Sequence, residues 1–358
     1  MSYNPFIKGE FPVGVRTIEL TGSDDNYTTE IWYPAADEYS GQTALDTFRF
    51  VDELPAATQE ATRDAEPSSE KRPLIMYWHG AYGHRREMAA MCVFLASHGF
   101  VVAAVDFPGD NIRGMYGPNP AIADEPIDDS AKARPRQAAE VIELLVTDGS
   151  EFLQEIVDGE RVGSFGLSLG GFTTLSVNAE STRLLASVAI APAWGKRSPI
   201  RQMTRIAPLM RLDWKSKPAT VLLAGEFDAL VVVDDVRELF TMLPEPRQIV
   251  VLKNAGHVHW ADNAELIHEE LRTRYASGEF PDPELDGPKM AVLMRPFSEL
   301  CPPEHATDLM RSVTLSHFEA NLKDRPEARA FLENDLAGKF KDRGIDVEVG
   351  MNYETAGA

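Results

Sequence analysis

Apolar positions along the chain follow two different periods. Residues 15–20 (VRTIEL) and 27–33 (YTTEIWY) alternate apolar and polar positions. Turn chemistry, TGSDDN, lies between them, so this stretch predicts an antiparallel hairpin. Further on comes a short, continuous apolar run at 74–78 (LIMYW), and five more segments read as strands: 100–107 (FVVAAVDF), 161–165 (RVGSF), 185–191 (LASVAIA), 219–225 (ATVLLAG) and 247–252 (RQIVVL). Runs of this length suit strands buried on both faces. Helical spacing lies between them. Met88, Met91, Cys92 and Leu95 mark a helix over 85–98, and Ala138, Val141, Ile142 and Leu145 mark one over 131–147. Residues 232–242 and 304–322 also read as helices, and the tail from 324 as one more helix with an irregular end. Strands alternating with helices demand crossovers, hence a mostly parallel sheet with helices on both faces. The fold class is α/β, with an N-terminal antiparallel hairpin.

Four stretches break the rhythm: 34–73, 107–133, 192–217 and 262–303. They read as insertions in a single domain spanning 1–358. The first is rich in Pro, Ala, Asp, Glu and Ser, with one short helix expected near 43–53.

Composition narrows the class. The 358 residues are 44% apolar, enough for a sizeable core. The net charge of −21 argues against nucleic-acid binding, which needs a basic face, and disfavours anionic membrane surfaces. The two cysteines, Cys92 and Cys301, indicate neither a disulfide framework nor a zinc site. No apolar window approaches a membrane span, and the N-terminus lacks a basic start followed by an apolar run, so a cytoplasmic location is expected.

Candidate chemistry begins at RVGSFGLSLGGF (161–172), where a strand runs into Gly166-Leu167-Ser168-Leu169-Gly170. A serine hydroxyl is a weak nucleophile without a base and without donors for the oxyanion. A tight strand–turn–helix with small neighbours exposes the hydroxyl and sets a helix N-terminus beneath the developing charge. The base is expected late, after the last strand. AGHVHW offers His257 and His259, and Gly256 favours His257. The orienting carboxylate is expected after the preceding strand, where GEFDALV offers Asp228, with Glu226 as the fallback. The order Ser168, Asp228, His257 is that of one known triad arrangement among three. The oxyanion donors are expected to be the Leu169 N–H and, from the loop HGAYG, the Ala81 N–H, with Tyr82 beside it. His79 reads as structural. Tyr82, Trp194 and Trp260 are candidate substrate-binding residues, with 107–113 and 203–210 also near the pocket mouth. IRQMTRIAPLMRL reads as a lid over an acidic substrate group or as an amphipathic surface helix.

These segments resemble a known group. EIWYPA, MYWHGAYG, HGFVVAAVDFPGDN, RPRQAAEVIELL, GLSLGG, GEFDALV and AGHVHWAD are similar, in the same order, to α/β-hydrolases of the dienelactone hydrolase and platelet-activating-factor acetylhydrolase-like type. The similarity spans about 15–335. Dienelactone hydrolases proper carry a cysteine nucleophile, and Ser168 here favours ordinary carboxylic esters. Gln137 stands where the family often has Asp, so a helix salt bridge is expected to be missing. The resemblance implies a serine carboxylic-ester hydrolase acting on a small-molecule ester without metal or organic cofactor. Acyl transfer or peptidase activity on the same triad, or a non-catalytic ligand-binding role, are the alternatives. A homodimer is allowed but not demanded.

Overall fold

A computed structural model describes residues 3–42, 44–49, 57–110, 127–147, 150–278 and 286–352. The expected hairpin is β1 (Val13–Thr21) and β2 (Asn26–Pro34), paired antiparallel from Val13–Pro34 to Thr21–Asn26. Two short strands, β3 (Asp46–Phe48) and β4 (Ala57–Gln59), form a separate antiparallel pair. Then come β5 (Thr62–Arg63), β6 (Arg72–Trp78), β7 (Val101–Val105), β8 (Val157–Leu167), β9 (Leu184–Ile190), β10 (Ala219–Gly225), β11 (Arg247–Leu252) and β12 (Val347–Asn352). All but β3 and β4 join one ten-stranded sheet in the order β12-β11-β10-β9-β8-β6-β7-β2-β1-β5. The six strands from β7 to β11 in this order run parallel. Antiparallel strands flank them, β2 against β7 and β12 against β11.

Each parallel crossover carries helix. The described helices are α1 (Ala89–Ser97), α2 (Ile127–Thr147), α3 (Glu151–Ile156), α4 (Leu169–Ser176), α5 (Arg201–Ile206), α6 (Val233–Met242), α7 (Ala264–Ser277), α8 (Gly287–Leu293), α9 (Pro303–Leu322), α10 (Pro326–Glu333) and α11 (Leu336–Lys341). The two-residue period of β6 assigns them to layers. Ile75 and Tyr77 pack in one core with α1 and α9, through Cys92, Leu95, Leu309 and Phe318. Leu74, Met76 and Trp78 face the other way, towards Ala138, Val141 and Ile142 of α2. On that second face, Leu222 and Ala224 of β10 meet Leu169 and Phe172 of α4. Every residue of β7 is buried, as the continuous apolar run predicts.

The expected α/β arrangement is thus present, with three corrections. No helix forms over 46–48, because Asp46–Phe48 pairs with Ala57–Gln59; residues 43 and 50–56 lie outside the described set. The stretch 262–303 holds α7 and α8. The irregular end is instead the edge strand β12, registered from Val347–Leu252 to Asn352–Arg247.

Candidate active site

Ser168 lies between β8 and α4. Its φ is 57° and ψ −116°, a backbone region that costs a non-glycine residue about 1–3 kcal/mol and persists only where its surroundings enforce it. Here three hydrogen bonds do so. Ser168 N–H donates to the Ile190 carbonyl at 2.9 Å, and the Ser168 carbonyl accepts from Phe172 N–H at 3.0 Å and Ala193 N–H at 2.8 Å. The flanking glycines allow close packing. A Cβ on Gly170 would lie 1.8 Å from the Trp78 carbonyl oxygen, and one on Gly166 would lie 2.4 Å from that of Gly170. The turn is therefore wedged against the end of β6, where the His79–Gly83 loop begins.

That loop is held from three sides. Tyr82, itself at φ 56°, donates its N–H to Asp110 Oδ1 at 2.8 Å. Asp110 Oδ2 lies 2.8 Å from the guanidinium of the buried Arg134, which donates to the His79 carbonyl at 2.7 Å and the Gly80 carbonyl at 3.1 Å. Gly80 N–H donates to Glu87 Oε2 at 2.8 Å. Among the described residues, neither the Ala81 N–H nor the Leu169 N–H has a hydrogen-bond acceptor in the protein. Tyr82 N–H, the neighbouring candidate, is already committed.

His79 is buried beside this loop. Its Nε2 accepts from Phe107 N–H at 3.3 Å, so Nδ1 carries the proton and donates to the Gly80 carbonyl at 2.7 Å. Burial and the Arg134 charge hold its pKa well below the ordinary value, keeping the ring neutral. Phe107 stacks on Arg134 with 4.4 Å from guanidinium to ring centroid, and it is fully buried. Residues 111–113 lie outside the described set.

Asp228 and His257 follow β10 and β11, at the same C-terminal edge of the sheet as Ser168. Asp228 Oδ1 accepts from Leu230 N–H at 2.9 Å and Val231 N–H at 2.7 Å, and Oδ2 lies 2.7 Å from His257 Nδ1. An ionised carboxylate only accepts, so Nδ1 donates and Nε2 is left with its lone pair. Burial alone would lower the His257 pKa, but the Asp228 charge and hydrogen bond outweigh it and hold it above the ordinary value. Glu226 is engaged elsewhere, with Lys253 Nζ and Asn254 N–H, each at 3.1 Å. His259 is likewise committed. Its Nδ1 accepts from Gly256 N–H, its Nε2 donates to the Cys301 carbonyl, both at 3.1 Å, and its ring stacks on Phe297.

The aromatic candidates separate. Trp194 packs in the same core as Leu169 and donates its indole N–H to the Ala207 carbonyl at 3.2 Å. Trp260 lies in the core with α1 and α9. It lines a cavity of about 790 Å³ between the starts of α1 and α7 and α9, and Ser168 and His257 do not line that cavity. In 192–217, Ile200, Met203 and Ile206 face inward. Arg197 pairs with Asp235 and Glu238, Arg205 with Asp128, and Arg211 with Asp213 and Glu180. Gln137 bonds across to Asp25 Oδ2 at 3.1 Å, on the β1–β2 turn. Among the described residues, no group of three His, Cys, Asp or Glu side chains is placed to hold a metal, and no helix is long and apolar enough to cross a membrane.

Comparison with known proteins fits this geometry. The model of the dienelactone hydrolase family matches residues 61–277, more than half of the chain. The chain belongs to the dienelactone hydrolase family. Residues 6–112 also match the model of platelet-activating factor acetylhydrolase, isoform II. Among individual relatives of this family member, cutinase est2 of Thermobifida alba is 24% identical over 185 residues, covering 51% of each chain. A platelet-activating factor acetylhydrolase of Gallus gallus is 25% identical over 221 residues, covering 48% of this chain and 52% of its own. The chain thus spans about half the length of these relatives. A solved ferulic acid esterase from Streptomyces cinnamoneus superposes with a TM-score of 0.59 over 88% of this chain and 92% of its own, at 19% identity. That likeness concerns the fold, and with the family match it makes the sheet and its helices an α/β-hydrolase fold.

Arg134, Asp110 and Glu87 emerge only from the structure. Arg134 and Asp110 lie inside the resembling segments RPRQ and PGDN, but their roles depend on contacts across 24 residues and more.

Proposed function

We propose that this family member is a serine carboxylic-ester hydrolase working through an acyl-enzyme. Ser168 attacks the ester carbonyl while His257 Nε2 takes its proton. Asp228 holds the imidazole in the required tautomer and stabilises the imidazolium. The Leu169 and Ala81 N–H groups receive the oxyanion. His257 then protonates the leaving alcohol, and water releases the acid by the same route. No metal or organic cofactor enters the scheme. The observation that carries this reading is the strained turn that presents Ser168, held by three hydrogen bonds and by its flanking glycines. The His257–Asp228 bond at the same sheet edge, and the two N–H groups that have no acceptor among the described residues, support it. The names of the relatives share one chemistry, a carboxylic ester, and a small-molecule ester is the proposed substrate. Tyr82 and Trp194 are the proposed contacts of its acyl or alcohol group, and Trp260 faces a separate cavity.

A fluorophosphonate probe and p-nitrophenyl esters of increasing chain length test it together. The wild type is expected to label once, at Ser168, and to turn over at least one ester. Ser168→Ala is expected to lose labelling and at least ~10⁴-fold in kcat. An unlabelled wild type, or equal labelling of Ser168→Ala, overturns the reading.

A further inference from the structure

Glu87 belongs to the turn that leads into α1 and is seven residues beyond Gly80, yet its carboxylate returns beneath the His79–Gly83 loop. Glu87 Oε2 accepts two hydrogen bonds, from Tyr77 O–H at 2.5 Å and Gly80 N–H at 2.8 Å. Tyr77 is fully buried on β6, so one partner is anchored in the sheet and the other is loop backbone. Gly83 makes room for the acid. A Cβ on Gly83 would stand 2.7 Å from Glu87 Oε1, and one on Gly80 would stand 3.4 Å from the same atom. The Gly80 site is also 3.6 Å from the Leu167 carbonyl oxygen, one residue before Ser168. The carboxylate therefore ties the sheet to the loop at one point, and the loop packs beside the serine turn.

We propose that Glu87 is a positioning residue for ester hydrolysis, setting the Gly80 backbone so that the next N–H, Ala81, is presented to the oxyanion. The inference rests on the serine hydrolase reading above. The physical need is clear. An oxyanion donor works only if it is held in place before the charge forms, and a loop with two glycines has many other conformations. A tether at Gly80 removes them one residue before the donor. What matters is an acceptor atom at the Oε2 position, not a negative charge. Burial pushes the Glu87 carboxyl upward, against the pull of the Tyr77 and Gly80 hydrogen bonds and of Arg134 and His257, and a neutral amide oxygen can accept the same two hydrogen bonds.

Three variants separate position from charge. Glu87→Gln keeps an acceptor oxygen at the same reach. Glu87→Asp keeps the charge but withdraws it by one methylene, and Glu87→Ala removes both. Steady-state kinetics on a p-nitrophenyl ester and the rate of fluorophosphonate labelling at Ser168 are measured for each, with folding checked by circular dichroism. Glu87→Asp and Glu87→Ala are expected to lose about 10- to 100-fold in kcat, with KM within about threefold, and to label more slowly in parallel. Glu87→Gln is expected to stay within about fivefold of wild type. If Glu87→Ala fails to fold, the Asp and Gln pair decides alone. Wild-type kcat in Glu87→Asp, or equal losses in Asp and Gln, overturns the inference while leaving the hydrolase reading intact. An unlabelled, inactive wild type overturns both.

Discussion

His257 and His259 are two residues apart and have opposite chemistry. His259 has both ring nitrogens bonded to backbone, and burial lowers its pKa to about 4, so it is a neutral strut. His257 has one nitrogen on Asp228 and one without a partner among the described residues, and its pKa is raised from 6.5. A base must be neutral to act, so activity is expected to rise with pH as His257 loses its proton. Because Asp228 favours the imidazolium, the acid limb of kcat/KM should be centred above 6.5. Asp228→Asn removes that charge: the limb should move to lower pH, and kcat should fall by roughly 10⁴-fold as the tautomer is lost. A pH profile from 5 to 9 on both proteins checks this, and a wild-type limb well below 6.5 would count against His257 as the base. Part of this arrangement was legible in the sequence. Gly256 and the preceding strand singled out His257, and the Gly225 turn singled out Asp228. Glu87 and Arg134 were not legible, because nothing local marks a side chain that reaches back under a loop or across from α2.

At the scale of elements, what the sequence made legible follows burial. β7 is buried at every residue and shows as an unbroken apolar run, and β9 and β10 are buried but for Leu185 and the half-buried Ala219, with one polar residue each, Ser187 and Thr220. β12 shows no such pattern, because it is an edge strand whose run Val-Glu-Val-Gly-Met-Asn is half polar or glycine. α7 was missed for a similar reason: its buried residues are Ala264, His268 and Tyr275, a sparse stripe that includes a histidine. α9 is the opposite case, buried along most of its length beneath the sheet. Phe318 is its central anchor, with its ring centroid 6.4 Å from those of both Phe100 and Phe165. Gly163 of β8 is open for that ring, since a Cβ there would come within 2.7 Å of it. Phe318→Ala would leave a cavity between α9 and β8, and is expected to cost about 3–5 kcal/mol. Urea unfolding should show a lower midpoint with an unchanged m-value. A loss below about 1 kcal/mol would mean that α9 collapses onto the sheet without it.

For the whole molecule, the charge of −21 sets two electrostatic effects against each other. Repulsion among surplus carboxylates opposes the folded state and is screened by salt. Ion pairs favour it, and exposed ones are also screened, but each contributes only about 0–1 kcal/mol. Many pairs here are exposed, such as Lys8–Glu60, Arg136–Asp24 and Arg211–Asp213. The pairs that tie the first insertion to the core are different. Glu30 is fully buried and meets Arg63 at 2.9 Å and Arg86 at 2.8 Å, while Arg63 also holds Asp46 of β3 at 2.6 Å. Salt reaches such a network poorly. Screening should therefore relieve the repulsion more than it weakens the pairs. Raising NaCl from about 10 mM to about 500 mM is expected to raise Tm by a few degrees at pH 7. The Arg63→Ala variant should start from a lower Tm and gain by about the same amount, because the partners it loses, Glu30 and Asp46, are largely shielded from salt. A Tm that falls with salt would instead show that exposed pairs outweigh the net charge.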